Sequence, residues 1–226
     1  TQYAVSGLSN GTWRNTIKCD ATLPATGPIT FYCDANNNGT GNESDDGQNV
    51  ALHLIMWTDM AAYLDWAGLR PMTEMEFEKI CRGTNPAVPY EFVWGTTNYN
   101  SVWPVFTGWN SASETISNIT VNTGNFSSVE NNGKVYRCGV FAASSTNHTR
   151  QETGAAYYGV MEMGGNAWEM TVPLTNKASR SFTGLHGNGA LNLNGEADVD
   201  YWPGINGNSN INVANTTYQG VTGVTS

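Results

Sequence analysis

Charge is what this sequence has least of. Charged side chains make up 13% of its 226 residues, against about a quarter in an average soluble domain. Lysine and arginine together number 10, aspartate and glutamate 19, for a net charge of -9. That balance excludes a surface built to hold nucleic-acid phosphates. Long hydrophobic runs are also missing: none approaches the roughly 18 apolar residues of a membrane helix. The 4 cysteines include no C-x-x-C pair, which argues against a zinc ribbon or a thioredoxin-type site. The 3 histidines, His53, His148 and His186, have no second ligand type at metal-binding spacing. His53, inside ALHLIMW, reads as a core residue, and His186, inside GLHGNG, as a loop residue. No G-x-S-x-G nucleophile turn is present.

Aromatic residues and small polar residues take up the space that charge leaves. There are 8 Trp, 10 Tyr, 7 Phe and 25 Gly, with many Asn, Ser and Thr. The aromatics exclude a disordered tail, and the length suits one core, read as a single domain over 1–226. A weakly charged, amide-rich chain of this kind fits an extracellular or surface setting. There the even number of cysteines permits two bridges, Cys19–Cys33 across a short loop and Cys81–Cys138 by default; buried free thiols are the alternative. N-x-S/T sequons start at Asn10, Asn38, Asn42, Asn118, Asn125, Asn147 and Asn215 and carry glycans only if the source glycosylates them.

Local pattern predicts short β-like stretches at Tyr3–Val5 and Ile29–Tyr32. A helix is predicted over Asp59–Ala67, with Thr58 as its cap and Tyr63, Trp66 and Ala67 on its apolar face. A second helix starts at Thr73, where Thr73 and Glu76 form a capping box, and buries Phe77, Ile80 and Cys81. After residue 84 the chain reads as short strands and long Gly/Asn loops, with Cys138 on a strand.

Two segments carry a resemblance. GLRPMTEMEFEKICRG (68–83) and YYGVMEMGGNAWEM (157–170) resemble the G-R-L-P-T-E-A-E-W-E and G-N-V-W-E motifs of the formylglycine-generating enzyme, or sulfatase-modifying factor, family. YEFVWG (90–95) and RCGVF (137–141) resemble its Y-P-W-G and P-V-G-x-F segments. WTDMAAYLDWAGLRPMTEMEFEK and SFTGLHGNGALNLNG further resemble variants in surface proteins of Bacteroidetes-like bacteria. The resemblance implies an α+β, C-type-lectin-like fold with two helices, short strands and long irregular loops. It implies a calcium site on Glu162, Gly165, Asn166, Ala167 and Glu169, with hydrogen bonds that merely tie down the turn as the alternative. Against the family pattern, the opening strand, the closing strands and the oxidase cysteine pair are not found, which suggests a portion of a longer protein.

A second calcium loop is read directly from spacing. Asp34, Asn36, Asn38, Thr40, Asn42 and Asp45 stand at the oxygen positions of an EF-hand-type loop, with Gly39 at its sharp turn. A solvated Asn/Asp turn is the alternative. These readings lead to a non-catalytic extracellular, cell-surface or particle-surface protein that binds a protein or glycan ligand or self-assembles. Calcium is its candidate cofactor, and copper is not expected in this chain. The alternatives are a formylglycine-generating oxidase or related enzyme with catalytic residues beyond this segment, and a structural subunit of a filament, coat or virion.

Overall fold

Strands of two or three residues alternate with short helices along this chain, because Gly, Asn and Ser break every run before it lengthens. The computed structural model describes residues 2–3, 14, 17–20, 22–53, 55–126, 135–174, 179–203 and 222–224. They fall into two compact units: 1–54 with 85–167, and 55–84 with 168–225. The sequons at Asn10 and Asn215 and the stretch Ala4–Val5 lie outside the described residues.

In the first unit, β1 (Gln2–Tyr3), β2 (Ile17–Cys19) and β3 (Phe31–Cys33) form an antiparallel sheet in the order β1-β2-β3. β4 (Phe106–Thr107) and β5 (Thr115–Ile116) form an antiparallel pair. The helices α3 (Val140–Ser144) and α4 (Arg150–Thr153) follow. Ile116, Tyr136, Val140 and Phe141 make one apolar cluster, with Phe106 and Ile119 against it. The Ile116 N–H donates to Ser144 Oγ at 2.7 Å, tying β5 to α3.

The second unit holds α1 (Trp57–Trp66), α2 (Glu74–Arg82) and an antiparallel pair of β6 (Glu169–Thr171) with β7 (Thr222–Val224). Its core joins Ala61, Ala197, Val199 and Trp202, and beside them Trp57 with Val172. Trp57 is fully buried, and its indole N–H donates to the Pro203 carbonyl.

The capping box forms as its residues predict. The Glu76 N–H donates to Thr73 Oγ1 at 3.2 Å and the Thr73 N–H to Glu76 Oε2 at 2.9 Å. Arg70 adds an ion pair to Glu76. That Arg70 hydrogen bond, more than the Thr73 bonds, lowers the Glu76 pKa to about 2. A depressed carboxyl stabilises the fold above its unfolded value, and the contribution is lost as pH falls through the folded one. Glu76→Gln should therefore cost about 1 kcal/mol at pH 7, a value held small by exposure of the pair. Chemical denaturation from pH 7 down to pH 2 should show that gap closing below the ordinary carboxylate range. A gap independent of pH would remove the charge from the account.

Three expectations are corrected. α1 begins at Trp57, two residues before the predicted start, because Asp59 accepts the Met56 N–H at 2.9 Å and moves the cap back to Met56. Its buried face is Trp57, Ala61 and Asp65, while Tyr63 and Trp66 stay exposed. Trp57 and the buried Asp65 carboxylate together define that face.

Cys138 lies in the turn before α3 rather than on a strand, since the polypeptide coils at Gly139 into Val140–Ser144. The third correction concerns disulfides: none joins Cys19, Cys33, Cys81 or Cys138. Cys19 lies opposite Phe31, and Cys33 opposite Ile17. The two are therefore diagonal neighbours, about 7–8 Å apart, where a bridge wants Cα atoms within roughly 6.8 Å. Cys81 belongs to the second unit and Cys138 to the first.

Candidate functional site

The first unit presents an aromatic groove that no sequence motif announced. It is lined by residues 99–104 and Phe126, with a volume of about 230 Å³. The segment is held by its own amides. The Asn100 N–H donates to the Gly124 carbonyl at 2.7 Å, and Asn100 Nδ2 donates to Asn125 Oδ1 at 3.1 Å. The Val102 N–H donates to Asn100 Oδ1, and Asn118 Nδ2 donates to the Trp103 carbonyl. With the backbone fixed, Trp103 and Tyr99 stand about half exposed, at 52% and 49%.

The floor is a ring cluster. Phe92 stacks on Trp94 with centroids 4.6 Å apart, and Phe126 packs against both Trp94 and Tyr99. Gly124 is required here, because a Cβ would lie 2.1 Å from the Trp94 ring.

Beneath the rim, Glu152 replaces missing secondary structure. Its carboxylate accepts the Asn122 N–H, the Asn147 N–H, the Ser145 hydroxyl and the Asn147 amide at 2.7–2.9 Å. The Asn122 and Asn147 N–H groups chiefly lower its pKa, to about 2. Asn125 Nδ2 donates to the carbonyls of Thr120, Thr123 and Glu152. Asn125 is buried, so its sequon is closed in the folded chain, whereas Asn38, Asn42 and Asn147 are exposed and Asn118 is half-buried.

In the EF-hand-type stretch, several oxygens already have partners within the protein. Asp34 is buried in an ion pair with Lys18, Nζ to Oδ2 at 2.8 Å. Desolvation works to raise its pKa, but Lys18 and the Asn38 and Gly39 N–H groups outweigh it and hold the pKa below its usual value. Asn42 Oδ1 accepts the Cys33 N–H at 3.1 Å, and the Thr40 N–H donates to Asn38 Oδ1. Asn36 donates to Asp45, and Asn38 to Glu43. The oxygens that do converge are those of Glu43, Asp45 and Asp46, within 4.8 Å of one another. Glu43 and Asp46 were legible only as part of the acidic string ESDD, at the end of the spacing that drew attention.

In the G-N-x-W-E turn, Asn166 is buried and binds Tyr136 in both directions. Its Oδ1 accepts the Tyr136 N–H at 3.1 Å, and its Nδ2 donates to the Tyr136 carbonyl at 3.4 Å. Glu162 Oε1 accepts the Gly139 N–H at 2.9 Å. Desolvation pushes the Glu162 pKa up to about 7, against that hydrogen bond. Glu162 and Asn166 both hold left-handed backbone, with φ of 63° and 60°, flanking Gly165. Ala167 follows within the first unit, and Glu169 lies in β6 of the second.

Of the thiols, Cys81 is buried and Cys138 exposed. Partial desolvation, and then the Glu162 carboxylate, push the Cys138 pKa up, opposite to what a reactive thiolate needs. His53 is buried, and the His186 ring nitrogen Nδ1 lies 3.0 Å from the Gly68 carbonyl.

No curated protein and no solved structure matches the chain. A family model does, and it agrees with the motifs at 68–83 and 157–170: the Sulfatase-modifying factor enzyme 1-like domain (FGE-sulfatase) matches residues 7–213, and the chain belongs to that family.

Proposed function

We propose that this chain is a non-catalytic binding module, displayed outside the cell or on a particle surface, and that its groove at residues 99–104 takes an uncharged glycan. The C-type-lectin-like architecture implied by the family is part of this reading. The observation that carries it is the composition of the groove: exposed faces of Trp103 and Tyr99 beside Asn100 and Ser101, with no charged residue among the described residues of the lining. Sugar rings present C–H faces that pack on aromatic rings, and hydroxyls that pair with amides and hydroxyls. A floor of packed rings keeps the surface open without ligand, so little ordering cost falls on binding.

Trp103→Ala should leave the melting temperature within about 2 °C, since the ring is half exposed, and should weaken glycan binding by roughly tenfold or more. A neutral-glycan array followed by calorimetry on the best hit reads this out. A glycan bound equally by wild type and Trp103→Ala would refute the groove. A protein ligand captured through Trp103, with no glycan bound, would refute the ligand class.

A further inference from the structure

We infer that Glu43, Asp45 and Asp46 form a calcium site in the first unit, sharing only Asp45 with the ligand sets that the sequence suggested. Two observations meet here. Oxygen atoms of the three carboxylates lie within 4.8 Å of one another. Asp46 is completely buried, and its Oδ1 has no hydrogen-bond partner, while its Oδ2 accepts the Glu43 N–H at 2.7 Å. A buried carboxylate oxygen left without a donor is costly, and a cation facing the other two carboxylates removes that cost.

No lysine or arginine forms an ion pair with any of the three among the described residues. The nearby cation in sequence space, Lys18, is held by Asp34 and Asn37 instead. Asp34, at the first position of the EF-hand-type spacing, thus serves a lysine, and the carboxylates that converge lie at its far end, 43–46.

The chemistry selects the ion. Three carboxylates in an irregular loop suit a hard cation with flexible coordination. Asn36 and Asn38 already hold their side chains against Asp45 and Glu43. Asp45 is exposed and Glu43 half-buried, so water completes the shell and the ion enters from solvent. Calcium accepts such a site; magnesium, with its strict octahedron and tightly held water, accepts it poorly.

The test uses the whole chain, stripped with chelator and titrated with calcium chloride by calorimetry, with melting temperature followed in parallel. Binding to the native state must raise the melting temperature. Wild type should bind calcium and melt higher with it, and magnesium at equal concentration should do much less. Asp45→Asn, exposed and so harmless to folding, should weaken binding at least about tenfold. Asp46→Asn should do the same, and its chelated form should melt no lower than chelated wild type, because it loses a buried charge. Absence of calcium heat and of any melting shift in wild type would overturn the site. So would binding that survives unchanged in Asp45→Asn and Asp46→Asn, which would instead direct attention to the turn at 162–169. The glycan assay is read separately, so loss of calcium binding and loss of the groove are distinguishable.

Discussion

Glu114→Ala should destabilise the first unit by about 3–5 kcal/mol, the ordinary cost of stranding one member of a buried ion pair. Glu114 and Arg14 are 0% and 2% exposed at their side chains, with Nη2 to Oε2 at 2.6 Å and Nη1 to Oε1 at 3.2 Å. Glu114 also accepts the N–H groups of Asn110 and Arg137. Arg14 in turn donates to the Val135 carbonyl and to Asn110 Oδ1, with its guanidinium 3.9 Å from the centre of the Trp109 ring. Removing the carboxylate leaves a buried guanidinium and two backbone donors unserved.

The reverse change, Arg14→Met, should cost a similar amount, and the pair Arg14→Met/Glu114→Ala less than the two together. Urea unfolding of the four proteins gives the coupling directly. Because the pair is out of reach of solvent, 1 M salt should change that coupling little. A coupling that vanishes in salt, or single costs below about 1 kcal/mol, would mean that the ion pair is not what holds this network.

Asp65→Ala should be comparably severe in the second unit, at about 2–4 kcal/mol. Asp65 is on α1, fully buried, and holds three backbone donors of a distant loop. Its Oδ1 accepts the Asn188 N–H at 2.7 Å, and its Oδ2 accepts those of Asp198 at 3.0 Å and Val199 at 3.4 Å. The loop comes so close that Gly187 is obligatory: a Cβ there would lie 2.4 Å from the Asp65 Cα, and backbone cannot move aside as a side chain would. Gly187→Ala should therefore reproduce much of the loss without touching the carboxylate.

Hydrogen exchange reads both variants. The amides of Asn188, Asp198 and Val199 should lose protection, while those of α2, capped by its own Thr73, should keep more of theirs. Protection retained at 188 and 198 in Asp65→Ala would show that the loop stands without the carboxylate.

How much of this was legible beforehand depends on how local the cause is. The capping box at Thr73 and Glu76 was read correctly, because both partners lie within one turn of helix and the bond pattern is fixed by backbone geometry. The family was legible for a similar reason: its motifs at 68–83 and 157–170 are contiguous strings. The face of α1 was not, because Tyr63, Trp66 and Ala67 look like an apolar stripe until Asp65 meets Asn188 and Asp198, more than a hundred residues on. The thiol pairings failed on register, which a Cys19–Cys33 separation in sequence does not contain. The calcium spacing counted positions along the chain, whereas Lys18, outside that count, took its first oxygen.

The sequence by itself determined the class of molecule: one of low charge content with a net charge of -9, with enough aromatic mass for a core, and with family strings strong enough to place it. Tertiary structure decided which polar groups are structural and which remain for ligands. Glu114, Glu152, Asp65 and Asn166 are committed to backbone or to an ion pair; Trp103, Tyr99 and the carboxylates at 43–46 face outward or toward one another. The physical reason is that irregular backbone must find hydrogen-bond partners wherever the fold happens to bring them. A carboxylate that serves a loop and one that awaits a cation are the same letter in the sequence, separated only by what stands within 3 Å of it.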